Sequence, residues 1–134
     1  MLADTSVLHR VGRHPVVAER VADLRRSGRL WTCDMVTLEL GYSARNAAEW
    51  GALSQAQGRL PQAPSGASVT RRAIQVLGLL AERGAHRVKL PDLIIAASAE
   101  EAGVDILHYD GDFDLIAGVT GQGAEWVVER GSID

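Results

Sequence analysis

The apolar runs of this chain that are rich in strand formers are all short, and helical patterns separate them with no hairpin signal in between. Met1 to Ala3, Leu30 to Cys33, Val104 to Tyr109 and Trp126 to Val128 are the candidate strands. Strands joined by helices instead of tight turns pair in parallel, because the crossover returns the chain to the same edge of the sheet. The fold class expected is therefore α/β, a central, mainly parallel β-sheet flanked by α-helices on both faces. With 134 residues, the chain has the size of one domain around one sizeable core, so 1–134 reads as a single domain. Hydrophobic residues at 46% and charged residues at 23% fit an ordinary globular protein and exclude disordered or collagen-like classes.

Between the strands, Val17, Val21 and Leu24 recur at helical spacing within Pro15 to Gly28, and Gly28 is a natural stop. Asp34 is placed to cap a long helix running from Met35 towards Gln57. Gly58 to Ser68, with Pro61, Pro64 and Gly66, reads as a loop short enough to lie inside one domain. Helices are expected over Val69 to Arg83 and from Pro91 to Gly103, with Asp110-Gly111 as a turn and a short helix over Asp112 to Ala117. The longest apolar runs fall far short of the roughly 18 to 20 residues that span a bilayer. No basic segment followed by an apolar one opens the chain. A cytoplasmic location without a membrane partner is the expectation.

In open parallel sheets, ligands bind at the carboxyl ends of the strands, near the point where strand order reverses. Asp4 ends the first strand and Asp110 ends the strand of Val104 to Tyr109, so the fold brings two carboxylates to one edge. Glu39 inside the long helix, Asp92 in the first turn of its helix and Asp112 after the Asp110 turn can join them. Each has an ordinary structural explanation: helix-dipole complement for Asp92, a turn residue for Asp110, an N-cap for Asp112. Gathered together, they would raise one another's pKa values unless a cation neutralised them. Hard oxygen ligands select Mg²⁺ or Mn²⁺. Cys33 stands alone, and His9, His14, His86 and His108 have no paired spacing, so a zinc site is not expected and Cys33 reads as core.

The net charge of −3 argues at first against a polyanionic partner. Setting the five candidate acids aside from the 17 acidic residues leaves 12 against 14 basic ones, and the remaining surface is mildly basic. Thirteen of those basic residues are arginines, and Lys89 is the one lysine.

Four blocks then carry a family resemblance: Asp4-Thr5-Ser6-Val7-Leu8, Thr37-Leu38-Glu39-Leu40, the run from Pro91-Asp92-Leu93 to Ala99, and Asp110-Gly111-Asp112-Phe113-Asp114. In this order and spacing the chain resembles the PIN-domain ribonucleases, and within them a VapC-type toxin of a bacterial type II toxin–antitoxin pair. The likeness runs from the first residues to about Val128, although the first strand is shorter than is common in the family. It implies an acidic quartet at Asp4, Glu39, Asp92 and Asp110, with Asp112 as a frequent fifth acid and Thr5 or Ser6 as a hydroxyl beside the metal. It implies Mg²⁺- or Mn²⁺-dependent endonucleolytic cleavage of RNA. The residue types suit that chemistry: a divalent ion held by Asp4, Asp92 and Asp110 would activate a water, with Glu39 orienting it and Asp112 steadying the site. Arg10, Arg13 and Arg45 are candidate phosphate contacts, solvated helix faces being the plain alternative. The resemblance also implies a homodimer or a hetero-oligomer with a VapB-type antitoxin laid over the active site. The apolar surface of the Met35 to Leu53 and Val69 to Leu80 helices exceeds what a small sheet can cover, as such an interface requires. Trp31, Trp50 and Trp126 read as core or interface anchors.

Other phosphoryl-transfer classes fit less well. A haloacid-dehalogenase-like phosphatase would need a second Asp two residues after the first, where this chain has Ser6. A receiver domain would need paired acids there and a strand-end lysine, and Lys89 sits in an apparent loop. A hydrolase acting on DNA, and a non-catalytic PIN-like module that binds a protein partner or RNA, stay as alternatives.

Overall fold

The computed structural model describes residues 1–134. The elements run β1 (Leu2–Ala3), α1 (Thr5–Leu8), α2 (Pro15–Arg26), α3 (Asp34–Tyr42), α4 (Ala47–Gly58), α5 (Ala67–Glu82), α6 (Leu90–Ala102), β2 (Ile106–His108), α7 (Asp112–Thr120) and β3 (Ala124–Trp126). The three strands form one sheet in the order β1-β2-β3, all parallel, with Leu2 opposite Ile106 and Ile106 opposite Ala124.

Isolated parallel bridges continue the sheet beyond β1, from Leu2 to Trp31 and from Thr32 to Gln62. β1 is thus central, with the early part of the chain on one side and the late part on the other. Strand order reverses between β1 and β2, which is where a parallel sheet opens a crevice at its carboxyl edge.

Alternation along the strands buries both faces. Leu2 and Ile106 point into a core with Val36, Val76, Leu80, Leu93 and Phe113. Ala3 and Leu107, one residue on, point into a second core with Val7, Val17, Val21, Leu24 and Leu30. A strand buried on both sides reads as a continuous apolar run, as Ile106 and Leu107 do here.

Local chemistry corrects the expected elements. The long helix from Met35 to Gln57 is two helices, because Asn46 takes an extended backbone and its side chain accepts the amide of Glu49 at 2.9 Å, capping α4. Asp34 is the first residue of α3 and not its cap, which is Cys33. Leu30 to Cys33 forms single bridges instead of a strand. The last strand lies two residues earlier than expected, over Ala124–Trp126. The short α1, missed in the sequence, starts where Asp4 caps it by accepting the amide of Ser6. Gly103 ends α6 at φ 71°, a left-handed conformation that suits glycine.

Candidate active site

The site lies where β1 and β2 end. The amide of Asp4 donates to Leu107 O at 2.9 Å, which fixes the carboxylate just past the strand. Asp4 Oδ2 accepts from the Ser6 amide at 2.9 Å, while Oδ1 is buried with no hydrogen-bond partner. Asp110 follows β2, and its Oδ1 accepts from the Asp112 amide at 3.0 Å. Ser6 Oγ accepts from the Tyr109 amide at 2.9 Å, a clip that ties the two strand ends together.

Helices deliver the other acids. Asp92 sits in the first turn of α6, only 4% exposed, and its Oδ2 also lacks a hydrogen-bond partner. Asp112 opens α7, and oxygens of Asp92, Asp110 and Asp112 lie within 4.8 Å of one another. Glu39 of α3 is half-buried, and Thr5 Oγ1 donates to its Oε1 at 3.1 Å. Four separate stretches of sequence therefore meet at one sheet edge.

Lys89, the residue before α6, reaches into this cluster. Its Nζ lies 2.5 Å from Asp110 Oδ2, 3.3 Å from Asp112 Oδ2 and 3.8 Å from Asp92 Oδ2. Its backbone amide also donates to Asp112 Oδ2 at 3.0 Å. Asp112 therefore accepts from Lys89 instead of capping α7, whose preceding residue is Gly111.

The electrostatics follow from this crowding. Burial, reinforced by the charges of Asp4 and Asp110 against the pull of Lys89, pushes Asp92 up to about 8. Burial also raises Glu39, with the Thr5 hydroxyl opposing the shift and Asp4 adding to it. Asp110 is buried too, but the Lys89 ammonium and the Asp112 amide outweigh that and hold its carboxyl below the usual range. Burial works against the charge on Lys89, yet its bond to Asp110 and the surrounding carboxylates raise its pKa overall. Behind the acids, His108 is wholly buried between Phe113 and Trp126, with ring centroids 5.2 and 4.9 Å away, and burial lowers its pKa.

Buried acceptor-only oxygens without donors, such as those of Asp4 and Asp92, are costly unless a cation or proton meets them. The donor set around them is carboxylate and hydroxyl, the set that suits a hard divalent ion such as Mg²⁺ or Mn²⁺.

The candidate phosphate contacts do not gather with the acids as a group. Arg10 packs its guanidinium 4.5 Å from the Tyr109 ring centroid and donates to Ser6 O at 2.6 Å and Asp134 O at 2.8 Å, a bracing role. Arg45 lies in the turn between α3 and α4, not on the helix of Glu39, and pairs with Glu49 at 2.9 Å. Arg13 is exposed in the turn before α2. Trp31 and Trp126 are half-buried, while Trp50 is more exposed and covers Gly41.

Sequence reasoning passed over Lys89, whose loop position hid its reach, and the Thr5 to Glu39 bond. The signal for Lys89 is its place three residues before Asp92, a spacing that lets a helix N-terminus carry both charges inward.

A parallel sheet with its acids collected at the switch between β1 and β2 is the architecture of a PIN domain, and the chain belongs to that family: the model of the PIN domain matches residues 1–119. Among its relatives, Ribonuclease VapC51 of Mycobacterium tuberculosis is 47% identical over 133 residues, covering 99% of this chain and 96% of its own length. Ribonuclease VapC18 of the same organism is 41% identical, covering 97% of this chain and 96% of its own. In fold, the chain resembles VapBC-1 from nontypeable Haemophilus influenzae, with a TM-score of 0.74 at 19% identity over 94% of this chain and 96% of that one. It also resembles the DNA-bound VapBC from Salmonella typhimurium, with a TM-score of 0.75 at 19% identity over 95% of this chain and 97% of that one.

Proposed function

We propose that the chain, acting over 1–134 as one unit, is a metal-dependent endoribonuclease of the VapC toxin type. The observation that carries the reading is the pair of buried, unpartnered oxygens on Asp4 and Asp92, set beside Asp110, Asp112 and Glu39 at the sheet's carboxyl edge. Its curated relatives are named as ribonucleases, which supplies the substrate class.

Asp4, Asp92 and Asp110 would hold Mg²⁺ or Mn²⁺, and the ion when bound supplies a Lewis acid for a phosphoryl oxygen and a water of lowered pKa. Glu39, held by Thr5, orients the attacking water and takes up its proton, a task for which its raised pKa suits it. Asp112 fixes the backbone of Lys89 and so the approach of α6 to the site. Ser6 keeps Asp4 and Asp110 in register through its clip to Tyr109. Thr5 and Ser6 stand beside the site as second-layer hydroxyls, and Arg10, Arg13 and Arg45 are assigned to RNA only by their charge.

A VapB-type antitoxin and a homodimer are the partners we assign. VapBC structures share this fold. Leu38, Tyr42, Ile74 and Leu90 are large hydrophobic side chains left exposed, and α5 and α6 line an apolar groove of about 290 Å³ between them. No helix is long and apolar enough to cross a membrane, and a cytoplasmic site of action accords with an RNA substrate.

Purified protein free of antitoxin, incubated with total cellular RNA and Mg²⁺ or Mn²⁺, is expected to release discrete fragments that EDTA and Asp4→Ala both abolish. A matched DNA oligonucleotide is expected to survive. Absence of cleavage by folded protein that binds the ion would transfer the assignment to a non-catalytic binding module.

A further inference from the structure

Building on the metal-site reading above, we propose that Lys89 takes the place of a second metal ion: its ammonium is a built-in cation for the Asp110 and Asp112 half of the acidic cluster, so that the RNA-free protein binds one divalent ion and not two.

The acids divide into two halves by what they already touch. Asp110 Oδ2 and Asp112 Oδ2 face Lys89 Nζ at 2.5 and 3.3 Å, and Asp112 Oδ2 also accepts the Lys89 amide at 3.0 Å. Asp110 Oδ1 accepts the Asp112 amide at 3.0 Å and keeps a second lone pair for the ion that Asp4 and Asp92 face. The free acceptors lie on the other side, at the buried oxygens of Asp4 and Asp92. Nζ stands 3.8 Å from Asp92 Oδ2, beyond hydrogen-bond distance. A divalent ion therefore has open ligands toward Asp4 and Asp92, whereas an ion seated between Asp110 and Asp112 would have to displace the ammonium.

The placement of Lys89 is built, not incidental. Lys89 takes an extended backbone, φ −67° and ψ 135°, immediately before α6, as the residue that precedes a helix does. Pro91 follows in the first turn, and Asp112 anchors the Lys89 amide, so the side chain leaves a fixed point toward the acids. Among 14 basic residues this is the one lysine. A compact ammonium with rotatable donors can serve both Asp110 and Asp112 at once, where the planar fork of arginine favours pairing with one. Its side chain is 61% exposed, so it also presents positive charge to solvent beside the acids.

The test is a count of bound Mn²⁺ on RNA-free protein, read from the loss of the free-ion electron paramagnetic resonance signal during titration. The unmodified chain is expected to bind one ion. Lys89→Met, with its fold checked by melting, is expected to bind two, or the first about tenfold more tightly, because a positive charge has left the pocket. Lys89→Arg is expected to keep a count of one. Two ions on the unmodified chain would overturn the inference whether or not the variants fold, and so would one ion of unchanged affinity on folded Lys89→Met. No ion on the unmodified chain would remove the metal-site reading itself, and the inference with it, an outcome distinct from the other two.

Discussion

Thr5 and Glu39, 34 positions apart in sequence, are joined by a hydrogen bond of 3.1 Å from the threonine hydroxyl to Glu39 Oε1. The bond ties α1 to α3 beside the acidic cluster. It also opposes the burial that raises the Glu39 pKa.

Replacing Thr5 with valine keeps the shape and removes the donor. Stability is expected to fall by about 0.5–1.5 kcal/mol, the net worth of one hydrogen bond. Without the donor, Glu39 holds its proton to higher pH, and the acidic limb of the pH–rate profile for RNA cleavage is expected to move upward. Thr5→Ser should restore the wild-type limb. An unmoved limb in folded Thr5→Val would separate Glu39 from the reaction.

Asp92 contributes to the pH dependence of the metal-free protein. Its folded-state pKa, about 8, lies above that of an unfolded aspartate, so the folded state binds more protons between those two values. Stability from this group is complete below the unfolded pKa near 4 and is lost as pH rises through about 8. In EDTA, Asp92→Asn is expected to flatten that decline and, at pH 9, to be the more stable protein by roughly 1–3 kcal/mol. Melting curves from pH 4 to 9 check both statements; parallel curves for the two proteins would contradict them.

Ser6 is expected to matter for the fold and the site together. Ser6→Ala leaves the Tyr109 amide without its acceptor, a loss of about 1–3 kcal/mol where the group stays shielded from water. It also leaves the bond from the Asp4 amide to Leu107 O as the remaining tie between the ends of β1 and β2, so cleavage is expected to fall further than the melting temperature alone would imply. Denaturant unfolding alongside initial cleavage rates measures the two effects separately.

Ile74 is 65% exposed on α5 and faces no partner within the chain that would cover it. If the apolar surface it shares with Leu90 is an interface, Ile74→Glu should convert a dimer seen by sedimentation into a monomer, with the melting temperature of the monomer little changed. A wild-type protein that sediments as a monomer at micromolar concentrations would remove the dimer.

The parallel sheet was legible because short apolar strands alternate with helical patterns and no hairpin signal lies between them. The gathering of Asp4 with Asp110 followed from the same topology. What the sequence hid was the break between α3 and α4. Apolar residues keep a helical rhythm through Tyr42, Ala47 and Trp50, and the stop is carried by the side chain of Asn46 and its bond to Glu49. Arg45 was placed on the wrong element for that reason. The reach of Lys89 is harder to read: its place three residues before Asp92 is the one signal, and the arrangement of its neighbours decides where an ammonium on four rotatable methylenes rests.

The pairing of Leu2 with Ile106 and of Ala3 with Leu107 joins the two ends of the chain's length. A nascent chain carries Asp4 from the start but has nothing to set beside it until β2 has been made. Contacts so far apart in sequence carry a large loop-closure cost and slow folding. A polypeptide interrupted before Ile106 therefore holds three of its acids, Asp4, Glu39 and Asp92, with no sheet edge to gather them. The acidic site is therefore a property of the nearly whole chain, and a product that ends before Ile106 does not carry it.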